Sequence, residues 1–109
     1  MGTLVLVATP IGNLGDITPR AREALQSAAL ICCEDTRRTG GLLSHFGISG
    51  VRMAIANEHT EIARVDEVLA LLADGLSVAV VTDAGTPGIS DPGELLVRAA
   101  IEHGHVVTA

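Results

Sequence analysis

The sequence lacks lysine, tryptophan and tyrosine, and its single phenylalanine is Phe46. Proteins that hold single-stranded nucleic acid commonly stack its bases on aromatic rings, so a surface of that kind is excluded. Because 48% of the residues are hydrophobic and almost none is aromatic, the core must be built from Val, Leu, Ile and Ala. Such a core is typical of a parallel β-sheet covered by helices, and less so of a sandwich or barrel.

Positive charge is also scarce. All seven basic residues are arginine, and 13 acidic residues bring the formal net charge to −6. The charge is uneven, since residues 56–109 carry nine acidic residues and two arginines. Contacts to phosphate need a cationic surface, so this balance argues against a domain that binds nucleic acid unaided. If RNA is a substrate, another domain or subunit must help to hold it.

The chain has two cysteines, Cys32 and Cys33, and they are adjacent. Neighbouring residues of a strand point to opposite faces, so these two cannot form an ordinary disulfide with each other. No metal-ligand spacing surrounds them, which predicts buried thiols in a reducing compartment and no metal site. The sequence shows no signal-peptide pattern and no apolar run of the roughly 18 residues that a membrane span needs, which predicts a cytoplasmic protein.

Strand and helix patterns alternate along the whole chain. Apolar runs predict strands, which we place at residues 4–8, 30–33, 53–56, 78–81 and 105–108. Amphipathic runs between them predict four helices, and glycines at their ends act as stop signals. Alternation of this kind produces right-handed crossovers and a parallel sheet. We therefore predict one α/β domain over residues 1–109, with a five-stranded, mainly parallel sheet flanked by helices.

Four loops follow the first four strands, and in a parallel sheet they open at the same edge. They are a first loop (residues 9–16), a second (34–38), a third (57–59) and a fourth (83–91). We expect them to line one crevice, where open α/β proteins bind their ligands.

The fourth loop is the most informative of these. It follows a run of Val and Ala typical of a strand buried on both faces, and it is longer than the roughly 2–6 residues that such a connection usually needs. Gly85 and Gly88 permit close approach of a ligand, and backbone N–H groups at the following helix start can hold polar ligand atoms. Asp91 and Glu94 have the form of a capping box, with Asp91 as N-cap. Asp83 is either a ligand contact or base, or a brace of the turn.

The first and second loops carry further candidates. Gly12 and Gly15 only loosely match a dinucleotide fingerprint, because Pro10 stands where a glycine is expected. The second loop places Glu34 and Asp35 beside Arg37 and Arg38; arginine can bind phosphate in a bidentate manner, and an acid can accept a proton. The alternative for the second loop is a capped helix start with internal salt bridges. His59 in the third loop is either a possible base or an exposed residue without a catalytic role.

Three segments together resemble a known family. They are VATPIGNLGDIT (residues 7–18), CEDTRRT (33–39) and TDAGTPGISDPG (82–93), in this order and spacing. They resemble the ribosomal RNA small-subunit methyltransferase I group of the tetrapyrrole methylase superfamily, the class III S-adenosylmethionine-dependent methyltransferases. The resemblance covers essentially all 109 residues. It implies 2′-O-methylation of a cytidine ribose in 16S rRNA, with S-adenosylmethionine as cofactor, by a homodimer.

The family's proteins continue into a second domain that completes the cofactor pocket. The resemblance therefore implies that this chain is an N-terminal half, inactive by itself. It assigns cofactor contacts to the first and fourth loops, at Pro10, Asp83, Gly85, Thr86, Pro87, Ile89 and Ser90. It places Gly12 and Asn13 on the substrate side, where Arg37 and Arg38 would hold RNA phosphate. Our candidates for the base that takes the hydroxyl proton are Asp83, Glu34 and Asp35.

Three other functions remain open at this point. The first is a relative of the same superfamily that methylates a tetrapyrrole-type small molecule, against which the first and second loops argue. The second is a non-enzymatic nucleotide-binding or regulatory module. The third, a plain dinucleotide-binding domain, ranks last because the glycine fingerprint is incomplete.

Overall fold

The computed structural model describes residues 2–9, 17–56, 60–83 and 93–109, with the side chains of Thr9 and Asp83 left out. Five strands and four helices alternate within these residues, which confirms the predicted α/β class. Their bounds are β1 (Thr3–Thr9), α1 (Pro19–Ser27), β2 (Leu30–Cys33), α2 (Thr36–His45), β3 (Met53–Ile55), α3 (Glu61–Ala73), β4 (Ser77–Asp83), α4 (Glu94–Glu102) and β5 (Val106–Thr108).

The strands form one sheet in the order β3-β2-β4-β1-β5, and every strand pair is parallel. Strand β4 lies in the middle of this order, between β2 and β1. Val78 and Ala79 are fully buried, and Val80 and Val81 are at most 6% exposed. The run that predicted a strand buried on both faces is therefore the central strand of the sheet.

The helices cover the sheet in two layers. Val68 and Leu72 of α3 pack with Leu96 of α4 on one face, while Leu25 of α1 and Leu43 of α2 pack on the other. The chain crosses the sheet in one direction from β1 through β2 to β3, and then returns through β4 to β5. Since right-handed crossovers put the connecting helix on a face set by the direction of travel, this reversal moves α3 and α4 to the opposite face.

The adjacent cysteines follow the alternation of a strand. Cys32 packs in the core beneath α3 and α4, Cys33 packs in the core beneath α1 and α2, and both thiols are free. Burial raises the pKa of Cys32 to about 12, from an ordinary value of 9.0. Burial also raises the pKa of Cys33, against a hydrogen bond with Thr39 that lowers it. The predicted buried thiols are confirmed.

These thiols should make the chain less stable at alkaline pH. The unfolded chain releases the Cys32 proton above pH 9.0, whereas the folded chain keeps it until about pH 12. Stability from this group is thus complete below pH 9.0 and is lost as the pH rises toward 12, with a slope approaching about 1.4 kcal/mol per pH unit. Because lysine and tyrosine are absent, few other side chains titrate in this window.

Urea denaturation at several pH values between 8 and 11 measures this loss. The variant Cys32→Ala should show a shallower decline of the unfolding free energy with pH than the wild type. Parallel curves for the two proteins would show that the buried thiol does not carry the effect.

The predicted N-cap of α1 is confirmed, and the predicted N-cap of α4 is not. Thr18 is the N-cap of α1, with its hydroxyl oxygen 3.1 Å from the amide nitrogen of Ala21, and Pro19 follows in the first helical position. The expected N-cap of α4, Asp91, is wrong, because α4 begins at Glu94 and its N-cap is Gly93 in a left-handed conformation. Asp91 itself lies outside the described residues.

Candidate functional site at the carboxyl edge of the sheet

The strand register brings the ends of the first four strands side by side. Thr9, the last residue of β1, pairs with Asp83, the last residue of β4. On the far side of β2, the amide nitrogen of Ala56 donates to the carbonyl oxygen of Cys33 at 2.8 Å. The chain segments that leave these strands therefore start in the spatial order third, second, fourth and first along one edge.

Strand β4 is flanked by neighbours whose helices lie on the opposite face of the sheet. Helix α4, which follows β4, packs on one face, whereas α1 and α2, which follow its neighbours β1 and β2, pack on the other. Where adjacent strands send the chain to opposite faces, a crevice opens beyond their carboxyl ends, and open α/β sheets bind ligands there. Both sides of β4 have this geometry, so the edge at Asp83 is the candidate site.

The second loop lies against the end of β4. Glu34, Asp35, Arg38 and Thr39 line, together with Val81, a cavity of about 10 Å³. Such a volume admits nothing larger than water. The structure thus brings three of the predicted site residues next to the central strand, two residues before Asp83.

Asp35 has a structural task. It is the N-cap of α2, and its Oδ1 accepts hydrogen bonds from the amides of Arg37 and Arg38 at 2.9 and 3.2 Å. For this residue, the alternative of a capped helix start describes the geometry. Glu34 precedes the cap and is exposed at the end of β2.

The two arginines of the second loop are exposed in the first turn of α2, which holds no acidic residue. A cation at this position interacts unfavourably with the positive end of the helix dipole. The helix dipole therefore gives no reason for a cation at either position, and an anion bound near the start of α2 would offset this unfavourable interaction.

The remaining predicted site residues are not covered by the described ranges. The structure describes Asp83 only as the backbone at the end of β4. Outside the described residues lie Pro10, Gly12, Asn13, His59, Gly85, Thr86, Pro87, Ile89 and Ser90.

Sequence reasoning missed Glu61. It is the first residue of α3 and only 6% exposed, and its Oε1 accepts hydrogen bonds from the amides of Leu95 and Leu96 at 2.9 and 3.3 Å. These two amides of α4 are thus already paired within the protein, and the expectation that amides at this helix start hold ligand atoms stays a prediction for the others. The sequence offers no signal for this role, since an acid in the first turn of a helix is ordinarily solvated.

Sequence reasoning also missed Thr60 and Arg64, which form hydrogen bonds with the end of β3. The carbonyl oxygen of Ile55 accepts from the hydroxyl of Thr60 at 3.2 Å and from Nε of Arg64 at 3.0 Å. Arg64 also forms an ion pair with Glu67 at 3.3 Å. The start of α3 is therefore tied to the strand before it, across residues 57–59.

Two kinds of feature are absent from the described ranges. Residues 2–9, 17–56, 60–83 and 93–109 contain no group of three His, Cys, Asp or Glu side chains able to hold a metal ion. None of the helices described in these ranges has both the length and the apolar character to cross a membrane.

Comparison with known proteins decides the family. The model of the tetrapyrrole (corrin/porphyrin) methylases matches residues 3–109, which is nearly the whole chain. The chain belongs to this family. The family expected from the three sequence segments is therefore confirmed, together with its α/β fold.

Similar proteins share the name that the sequence segments suggested. The chain is 57% identical over 102 residues to the ribosomal RNA small subunit methyltransferase I of Synechocystis sp., covering 94% of this chain and 36% of that protein. Its identity to the protein of the same name from Xylella fastidiosa is 53% over 107 residues, covering 98% of this chain and 39% of the relative. The Escherichia coli O157:H7 protein of this name is 52% identical over 103 residues, covering 94% and 36%. The chain spans little more than a third of the length of these relatives.

Proposed function

We propose that this chain is the N-terminal, cofactor-binding part of an S-adenosylmethionine-dependent methyltransferase that acts on the 2′-hydroxyl of a cytidine ribose in 16S rRNA. The observation that carries the proposal is the identity of up to 57% to proteins named ribosomal RNA small subunit methyltransferase I, over nearly the whole chain. The reversal of chain direction around β4 supports it, because open α/β sheets bind ligands beyond the strand ends at such a position.

The cofactor is assigned to the segments that leave β4 and β1. These segments start from the paired residues Thr9 and Asp83, so one ligand can reach both. The residues that would hold it are Pro10, Asp83, Gly85, Thr86, Pro87, Ile89 and Ser90. When bound, S-adenosylmethionine supplies a methyl group on a sulfonium, which is open to attack by an oxygen nucleophile. Most of the rate enhancement comes from holding the ribose hydroxyl in line with that methyl group.

The substrate side is assigned to the first and second loops. Arg37 and Arg38 contribute the fork of N–H donors that matches a phosphate of RNA, with Gly12 and Asn13 beside the target ribose. Among the candidate bases, Asp83 ranks first because it ends β4, whose neighbours send the chain to the opposite face of the sheet. Exposed Glu34 comes second. Asp35 ranks last because its Oδ1 already caps α2.

Activity is assigned to a longer protein. The chain spans 36% of its Synechocystis relative, so a second domain there has room to complete the cofactor pocket and hold RNA. A partner domain or second subunit would also explain how a domain of net charge −6 serves a polyanionic substrate. In this proposal the chain alone is inactive, and the working form is a cytoplasmic homodimer that uses no metal.

The test is calorimetric titration of S-adenosylmethionine into two proteins, this chain alone and this chain with the sequence that follows it in its gene. We expect the longer protein to bind and to transfer labelled methyl groups to small ribosomal subunits. Absence of binding by both proteins would overturn the proposal.

Substitution Asp83→Asn in the longer protein should reduce kcat for methylation of small subunits by about 10²-fold or more, because a positioned base contributes about 10²–10⁴-fold. Single-turnover rates at saturating cofactor measure the effect. Glu102→Gln, an exposed acid at the other end of the fold, is the control and should leave the rate unchanged. Equal rates for the wild type and the Asp83 variant would remove Asp83 from the mechanism.

A second candidate function follows from the description of the family, which names corrins and porphyrins. A domain of this family could methylate a tetrapyrrole in the same crevice. Labelled methyl transfer to a corrin or porphyrin precursor, but not to small ribosomal subunits, would favour this candidate. Cofactor binding without transfer to either substrate would favour a regulatory module.

A further inference from the structure

The carboxylate of Glu61 is the one acidic side chain that the described residues bury, at 6% exposure. Removing a carboxylate from water is costly unless hydrogen bonds replace its hydration. Here the amides of Leu95 and Leu96 donate to its Oε1 at 2.9 and 3.3 Å, across 34 and 35 residues of sequence. Glu61 thus joins the first residue of α3 to the first turn of α4.

Helix α4 needs this partner because its own N-cap provides none. Gly93 has no side chain, and α4 has no side-chain cap hydrogen bond from that position. The first amides of a helix require acceptors, and the positive end of the helix dipole favours a nearby negative charge. Glu61 meets both requirements from another helix.

The start of α4 is also fixed against the sheet. Gly93 lies so close to Val80 of the central strand that a Cβ on the glycine would be 2.8 Å from Cγ1 of the valine. Packing on β4 and the hydrogen bonds to Glu61 together determine where α4 begins. The other end of the connection from β4 is set by the pairing of Asp83 with Thr9.

We propose that Glu61 is a positioning residue for the S-adenosylmethionine site, holding the start of α4 in the place that cofactor binding requires. This inference rests on the proposed function, which assigns the cofactor to the connection between β4 and α4. Only Thr60 separates Glu61 from the third loop, so this side chain joins the helix that follows the third loop to the helix that follows the fourth. It acts through the backbone of α4 and touches no reacting atom.

Substitution of Glu61 in the protein that includes the sequence following this chain tests the inference. Glu61→Ala removes the acceptor, and we expect the dissociation constant of S-adenosylmethionine to rise about three- to tenfold, as for loss of a helix cap coupled to binding. The rate at saturating cofactor should stay near that of the wild type, because the reacting groups are untouched. Glu61→Gln keeps an oxygen acceptor and should restore most of the affinity, and Asp66→Asn, which neutralises an exposed acid on the same helix, should change nothing.

Hydrogen exchange of the Leu95 and Leu96 amides is the second measurement, and it needs no substitution. If cofactor binding and the start of α4 are coupled, S-adenosylmethionine must slow the exchange of these two amides in the wild type. Unchanged exchange on binding, or wild-type affinity in a folded Glu61→Ala protein, would overturn the inference while leaving the proposed function intact. A wild-type protein that does not bind S-adenosylmethionine would overturn the proposed function and the inference with it.

Discussion

Replacing Gly93 by alanine is expected to destabilise the chain by about 2–5 kcal/mol. The glycine has φ +83°, and a left-handed residue with a Cβ costs roughly 1–2 kcal/mol. The new Cβ would also lie 2.8 Å from Cγ1 of Val80, and forcing an extra carbon into a packed core costs about 1–3 kcal/mol. Urea denaturation followed by circular dichroism measures the loss, since the midpoint should fall at unchanged slope.

Gly75→Ala separates the two causes. Gly75 has almost the same backbone angle, φ +82°, but a Cβ there would meet nothing within 4 Å. This variant should lose only the conformational part, about 1–2 kcal/mol. If the two variants are equally destabilised, the close packing of α4 on the central strand is wrong, and so is the argument that it fixes the start of that helix.

Replacing Gly2 by alanine should have the other large effect, a loss of about 2 kcal/mol or more. A Cβ on Gly2 would lie 2.3 Å from the carbonyl oxygen of Leu76 and 2.6 Å from Cα of Leu72, and neither backbone atom belongs to a flexible group. Relief would require the start of β1 to move away, which would break the hydrogen bond from the Gly2 amide to the Leu72 carbonyl at 2.9 Å. Thermal or urea denaturation of the purified variant measures the change.

Gly41→Ala is the matched control for this substitution. Gly41 lies inside α2, and nothing is within 4 Å of a Cβ built on it. Alanine there should raise the unfolding free energy by roughly 0.5–1 kcal/mol, because glycine is a poor helix former. A Gly2 variant as stable as the wild type would show that the chain before β1 does not pack beneath Leu72.

The Gly93 and Gly2 substitutions should differ in their effect on cofactor binding. Gly93 is the N-cap of the helix whose first amides bind Glu61, so its substitution should weaken cofactor binding as well as stability. Gly2 lies at the amino end of β1, opposite the edge that holds the candidate site, so a Gly2 variant that remains folded should bind cofactor normally. Measuring cofactor affinity of both variants at temperatures where they are folded therefore distinguishes a local effect on the site from a general loss of stability.

The sequence by itself determined the class of the fold and the family. The run Val78–Val81 predicted a strand buried on both faces because a strand with no polar alternation has no side to turn to water. Strand and helix patterns in alternation required a parallel sheet, and parallel strands put the ends of the first four at one edge. Three local segments were enough to recognise the family. All of these signals lie within short stretches of chain, so no knowledge of distant contacts was needed.

The tertiary structure alone decided which residues meet. Strand β4 became the centre of the sheet because the chain reverses direction after β3, and local patterns do not specify such a reversal. Asp35 was ambiguous in the sequence, and the path of α2 made it a cap. Asp91 had the sequence form of a cap, yet α4 starts at Glu94 and takes its acceptor from Glu61. That carboxylate lies more than 30 residues away along the chain, and only the packing of α3 against α4 brings it to the helix end.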